Sequence, residues 1–251
     1  LAELVGGTED AFVARMNTEA ARLGMTNSRF TNVTGLSNPQ HYSTAADLAR
    51  LAAGVIRDYP EYYPLYAQKE FRYNNITQPN RNRLLWTDPT VDGVKTGHTE
   101  AAGWCLIASA MRGDRRVLAV VLGASSDAAR ASEAQKLLNW GFQAFDTVQL
   151  YQSGKQVTTL RVWKGDRPEV PAGFLADRYL TLPKGKADKL ALTLSATEPL
   201  VAPVAKGQRV GTVKVSLDGK VITEFPMVAL AEVSVANIFG RAWDTVRLWL
   251  K

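Results

Sequence analysis

Apolar positions in the first part of the chain recur at helical spacing. Phe12, Met16, Ala20 and Leu23 share one face, Thr8 stands where a cap is needed, and Glu9 and Asp10 suit the positive end of a helix. Gly24 predicts its end. A loop with Gly35 and Pro39 spans residues 26–41, and Ser43 or Thr44 opens a second helix through Leu48, Leu51, Ala52 and Val55 that Pro60 stops. Residues 76–82 are polar, carry Pro79, and read as an exposed loop. The period then becomes extended. Residues 91–96, 104–110 and 117–122 predict three strands, the last an apolar run suited to a central position, with a charged turn at Gly113 and Asp114 before it. Ser125, Ser126 and Asp127 start a long helix whose Ala134, Leu137, Leu138, Gly141 and Phe145 face a core.

Near Phe145 the texture changes. Short Val/Thr/Leu-rich segments at 156–163, 179–182, 190–194, 209–216 and 221–225 alternate with Gly and Pro, and Asp218-Gly219 predicts a hairpin turn. This reads as an all-β domain over residues 148–235, after an α+β domain over 1–147. Residues 236–251 return to helical spacing. Ile238, Phe239, Ala242, Trp243, Val246, Trp249 and Leu250 share a broad face, and Arg241, Asp244, Arg247 and Lys251 occupy much of the rest. A basic amphipathic helix of this kind predicts an interfacial membrane anchor through Phe239, Trp243 and Trp249; a helix packed on the β domain is the plainer alternative.

Composition narrows the classes. At 46% hydrophobic and 22% charged, 251 residues can bury a substantial core and are neither disordered nor membrane-spanning in character. No apolar run approaches the roughly 20 residues that cross a bilayer. The net charge of +6 admits an anionic partner, but outside the terminal helix the basic residues are scattered, with no basic helix or aromatic-interleaved stretch, which argues against nucleic acid. Two histidines and one cysteine argue against a transition-metal cluster, and no cofactor is expected. Cys105, between Trp104 and Leu106-Ile107, reads as a buried structural thiol, and His41 as a hydrogen-bonding residue before a helix cap. Asp47, Asp88 and Asp92 show no paired-carboxylate spacing, and Gly6-Gly7 lacks a phosphate-loop pattern.

The focal motif is Lys95-Thr96-Gly97, which ends a predicted strand and is followed after a short loop by the next one. Around it, Val91 through Thr99, then Ala102-Gly103-Trp104 and residues 106–110, resemble the K-T-G-H-T region of D-alanyl-D-alanine carboxypeptidases, low-molecular-mass penicillin-binding proteins of the penicillin-recognising superfamily. Residues 40–45, Asn80-Arg81-Asn82, Arg130 to Glu133, residues 136–138 and Trp140-Gly141 are similar to further segments of that family. The β domain and amphipathic tail follow in the family's order.

The resemblance implies the C-terminal part of a transpeptidase-like domain, an antiparallel sheet with helices, then a small all-β domain and a terminal amphipathic helix. It implies a serine enzyme that attacks the bond between two D-alanines of the peptidoglycan stem pentapeptide and is trapped by β-lactam antibiotics. Lys95 and Thr96 would hold the terminal carboxylate, Gly97 would keep the approach open, and the His98 backbone N–H would be an oxyanion donor. Arg81 and Arg130 are candidates for carboxylate recognition and for organising the site, each with a surface salt bridge as the alternative. The parent protein would lie on the periplasmic face of the bacterial inner membrane, held to its anionic surface by the C-terminal helix; whether it is a homodimer stays open.

One departure matters. The family's S-x-x-K and S-x-N motifs, for nucleophile, general base and proton transfer, occur nowhere in the chain: Ser132 to Lys136 is one residue too long, and Ser37-Asn38 lacks the intervening residue. The chain is therefore expected to be truncated just past those motifs, to be inactive alone, and to expose the edge of residues 117–122. The alternatives are a catalytically inactive penicillin-binding-like scaffold of the cell wall, and an adaptor that works through the β domain.

Overall fold

The computed structural model describes residues 1–237 and positions 244, 245, 247 and 249. Two compact units, Leu1–Gln143 and Ala144–Lys251, divide the chain. The pairing between strands is antiparallel throughout the named sheets, which gives the α+β architecture expected.

The first unit opens with a short helix α1 (Ala2–Gly6), not anticipated, and α2 (Glu9–Arg22), capped by the Thr8 side chain accepting from the Ala11 N–H at 3.2 Å. Helix α3 (Ala45–Asp58) resolves the choice of cap: Thr44 accepts from the Asp47 N–H, and Pro60 follows two residues after the last turn. Residues 70–79 correct the loop reading. They form a hairpin of β1 (Glu70–Tyr73) and β2 (Ile76–Pro79), exposed as expected but paired. Its turn is Asn74-Asn75, both at positive φ (48° and 60°), the conformation that a two-residue hairpin needs and that Asn tolerates.

After the one-turn helix α4 (Leu84–Thr87) come β3 (Val91–Thr99), β4 (Gly103–Arg112) and β5 (Arg115–Ala124), in the order β3-β4-β5. Strand β5, whose apolar run suits a central position, is an edge strand of this sheet among the described residues, in line with the expected exposed edge of residues 117–122, and Leu122 on it is 42% exposed. Helix α5 (Asp127–Ala144) covers one face, where Ala134 and Leu138 pack on Leu106, Ala108 and Ala110. Phe145, assigned to that helix by its i+4 spacing from Gly141, instead begins a strand.

Asp88 ties this sheet together ahead of β3. Its carboxylate accepts from Thr90 N–H (2.9 Å) and Oγ1 (2.6 Å), from Gln135 of α5 (2.9 Å) and from Arg112 of β4 (3.2 Å). Burial works against the charge, but these donors and the Arg112 cation prevail and hold the carboxyl at about 2. A depressed carboxyl stabilises the fold above its unfolded value near 3.8 and ceases to do so as pH falls through about 2. Thermal melts between pH 5 and 2 are expected to show a decline that Asp88→Asn makes shallower; identical slopes would refute the assignment.

Over residues 145–237 the second unit is all β, apart from one 3-10 turn at Ala187–Lys189. Strands β6 (Phe145–Tyr151) and β9 (Arg178–Pro183) form one pair; β7 (Gln156–Arg161), β8 (Glu169–Gly173), β10 (Leu190–Ala196), β11 (Arg209–Leu217) and β12 (Lys220–Ala229) form a sheet in the order β10-β11-β12-β8-β7. The core is Phe174, Val170, Val204, Val210, Val213, Met227 and Val233. The Asp218-Gly219 turn joins β11 to β12 with positive φ at both residues. Strand β8 was not anticipated, because Pro171 and Gly173 disfavour a strand; pairing with β7 and β12 on either side overrides them.

The predicted terminal helix, with Phe239 and Trp243, lies outside the described residues; Trp249 is described and is 91% exposed. No helix among the described residues is long and apolar enough to cross a membrane.

Candidate active site

The site forms where the end of β3 faces the loop before α3. Buried Asp47 on α3 shapes that loop. It accepts from the Asn27 N–H (2.8 Å) and Ser28 Oγ (2.7 Å) and pairs with Arg50 (2.6 Å). Burial would raise its pKa; the Ser28 and Asn27 hydrogen bonds and the Arg50 charge reverse that and keep it ionised. Further along, Asn38 turns the chain by accepting from Gln40 N–H, and Thr31 N–H donates to His41 Nδ1 at 3.3 Å while Phe30 packs edge-on to the ring. His41 thus has the hydrogen-bonding role expected, in the wall of the site.

Between this loop and β3 lies a cleft of about 1070 Å³. Lys95, Thr96, Gly97 and His98 line it along the strand, together with Arg81, and residues 34–39 with His41, Tyr42 and Ser43 line it along the loop. Pairing with β4 sets the strand: Lys95 faces Ile107, Thr96 faces Leu106, Gly97 faces Cys105 and His98 faces Trp104. Lys95 Nζ donates to the Thr96 carbonyl at 2.5 Å. Its pKa is lowered, chiefly by desolvation and then by the Arg81 and Arg130 cations. Gly97 is not a conformational necessity. Its φ is not positive, and an added Cβ would approach no closer than 3.9 Å to its neighbours, so the space its missing side chain leaves open belongs to the cleft.

Arg81 and Arg130 part company. Arg81 lines the cleft and makes no ion pair or hydrogen bond among the described residues, so the surface salt bridge considered for it is not formed there. Arg130 does not line the cleft. It is 3% exposed, pairs with Asp127, and donates to the carbonyls of Gly97 (3.1 Å) and Cys105 (3.4 Å) from behind the strand. Its guanidinium lies 5.0 Å from the Trp104 ring, and Trp104 in turn lies 4.0 Å from the His98 ring. Asp127 pairs with Arg83 as well.

Cys105 requires a correction. It is half-buried rather than buried, with Sγ 3.5 Å from the Ala102 carbonyl, and it lines the cleft opposite Gly97, since strand alternation places it on the face away from the α5 core. Sequence reasoning missed Asn82 as well, which is 2% exposed and donates to the Gly93 carbonyl at 3.0 Å. Its only signal was its place beside Arg81.

Comparison with known proteins bears on these residues. Residues 1–126 match the family model described as D-alanyl-D-alanine carboxypeptidase, and residues 145–235 match that of the penicillin-binding protein 5 C-terminal domain. The chain is 45% identical over 250 residues to the D-alanyl-D-alanine carboxypeptidase DacC of Escherichia coli K12, covering 99% of this chain and 62% of that protein. It is 42% identical over 251 residues to DacA of the same organism, again over 99% of this chain and 62% of the relative. The solved penicillin-binding protein 5 of Haemophilus influenzae superposes with a TM-score of 0.86 at 41% identity, covering 93% of this chain and 69% of that one. The chain thus spans a little under two thirds of these two curated relatives' length. A K-T-G-H strand beside a wide cleft, two family models in tandem and this identity along nearly every residue lead to one statement: the chain belongs to the D-alanyl-D-alanine carboxypeptidase family.

Proposed function

We propose that the cleft receives the D-Ala-D-Ala end of a peptidoglycan stem pentapeptide, and that the parent protein is a serine carboxypeptidase releasing the terminal D-alanine through an acyl-enzyme. The observation that carries this is the placement of Lys95, Thr96, Gly97 and His98 along one wall of the cleft, together with Arg81. In this reading Lys95 and Thr96 hold the terminal carboxylate, and Gly97 leaves the substrate backbone room to lie along the strand. The His98 N–H donates to the oxyanion, a contribution on the order of 3 kcal/mol. Arg81 adds charge for the carboxylate, and Arg130 holds the strand in place. Water then hydrolyses the acyl-enzyme, and a β-lactam leaves it blocked.

Neither S-x-x-K nor S-x-N occurs in these 251 residues, so the nucleophile and its base are assigned to a part of the parent outside them. The same observation favours a second reading, an inactive scaffold on the cell wall. We further place the parent at the periplasmic face of the inner membrane, anchored to anionic lipid through Phe239, Trp243 and Trp249; the exposure of Trp249 suits that role. The parent incubated with a pentapeptide ending in D-Ala-D-Ala is expected to yield the tetrapeptide and free D-alanine, followed by mass spectrometry. An intact pentapeptide after prolonged incubation would instead support the scaffold.

A further inference from the structure

We propose that a one-residue β-bulge at Asp92 sets the phase of β3, and that Asp92, Asn82, Tyr63 and Arg116 are positioning residues that aim Lys95 into the cleft. The inference rests on the carboxypeptidase reading for its catalytic meaning, but its geometry stands apart from it.

The register shows the bulge. Val91 faces Ala110 and Gly93 faces Ser109, so Asp92 has no partner on β4. Downstream, Lys95 and Gly97 share the face of Cys105, which lines the cleft, while Val94 falls opposite Ala108 on the face that α5 covers. Side chains alternate with a period of two, so Val91 and Lys95, four residues apart, would share a face in a regular strand, and the extra residue puts them on opposite faces. With every residue kept and no bulge, regular pairing from Val91 opposite Ala110 would set Lys95 opposite Leu106, which is 1% exposed among Ala108, Ala134 and Leu138. An ammonium group there would lose its hydration with no partner to replace it.

Four side chains hold the extra residue. Asp92 Oδ1 accepts from Tyr63 Oη at 2.9 Å and from Arg116 Nη1 at 2.7 Å. The same Arg116 nitrogen donates to Ser109 Oγ at 2.5 Å, on the residue that faces Gly93 across the bulge. Asn82 Nδ2 donates to the Gly93 carbonyl at 3.0 Å, and its Oδ1 accepts from the Leu84 N–H at 3.2 Å, so the carboxamide cannot turn away freely. Gly93 itself is required by this packing, since a Cβ would come within 2.5 Å of Tyr63 Oη. Burial pushes the Tyr63 phenol up to about 12, so it remains a donor to Asp92 across the neutral range.

Two measurements test this separately from the function. On the 251-residue chain, reductive methylation with peptide mass spectrometry reads the accessibility of Lys95, with exposed Lys69 and Lys136 as internal standards. Joint replacement of Asn82 and Asp92 by alanine frees the bulge to close with all residues retained, which turns Lys95 toward Leu106. It is expected to lower Lys95 labelling several-fold while leaving the standards unchanged; undiminished labelling in the folded variant would overturn the bulge's role. In the parent, Asn82→Ala and Asp92→Ala are expected to slow penicillin acylation about 10- to 100-fold in the covalent step rather than in initial binding. Asp92→Asn should restore most of that rate, because its carbonyl still accepts from Tyr63. Should the double variant unfold the chain, the single substitutions decide alone, and parental acylation rates in both alanine variants would refute the proposal. If the unsubstituted parent takes up no penicillin, the carboxypeptidase reading falls, and Lys95 labelling alone judges the bulge.

Discussion

Replacement of Lys95 by alanine in the parent protein is expected to lower the rate constant for penicillin acylation ~10²- to 10³-fold, the range for loss of one preorganised electrostatic group at a reacting centre. The residue is held by the strand that carries it, donates to the adjacent Thr96 carbonyl, and lines the cleft. The chain should stay folded, because the side chain belongs to neither buried cluster. The pH profile offers a finer check. Desolvation, Arg81 and Arg130 together lower the Lys95 pKa from the usual 10.5. If the ammonium form is the one that works, acylation declines on the alkaline side before an ordinary lysine would titrate. Arg81→Ala removes one of the repelling cations and should move that decline to higher pH. A profile flat through the lysine range would separate Lys95 from the reaction.

The second large effect falls on stability and rate together. Arg130→Ala is expected to destabilise the 251-residue chain by about 3 kcal/mol, as removal of one partner from a buried ion pair typically does. Asp127 would keep only Arg83, the Gly97 and Cys105 carbonyls would lose a donor, and Trp104 would lose the cation on its face. Since Gly97 adjoins His98, slackness there should also slow acylation in the parent. Arg130→Lys should rescue little, because one ammonium cannot reproduce a planar fork that reaches two carbonyls and a carboxylate at once. Calorimetry of the three proteins tests this; a melting temperature unchanged in Arg130→Ala would show that the network bears no load.

The placement of Arg130 illustrates what the sequence could and could not carry. Its type and position suggested recognition of a carboxylate or organisation of the site, and the structure places it behind the strand, donating to the Gly97 and Cys105 carbonyls; nothing in a linear pattern distinguishes the two faces of a sheet seen end-on. The three strands around Lys95-Thr96-Gly97 were legible because alternation and a glycine-bearing charged turn are local signals, as was the Asp218-Gly219 hairpin. Strand β8 was not, since its pairing on both sides compensates for Pro171 and Gly173, and partners distant in sequence leave no local trace. Nor was the hairpin at Asn74-Asn75, where polar exposed strands resemble a loop in composition. Cys105 was misjudged because its apolar neighbours in sequence are not its neighbours on the strand face. The bulge at Asp92 is the most consequential feature of this kind: without it, simple alternation from Val91 would send Lys95 to the core face, opposite Leu106.

The central claim is that this chain supplies the K-T-G-H wall of a serine acyl-transfer site whose nucleophile comes from elsewhere in the parent. Intact-mass spectrometry after exposure to a penicillin tests it most directly, applied to the 251-residue chain and to the parent protein, to which the S-x-x-K and S-x-N motifs are assigned by proposal. One adduct on the parent and none on the chain is the expected result. An adduct on the chain alone would place a nucleophile within these residues, and no adduct on either would contradict the carboxypeptidase account and leave the scaffold in its place.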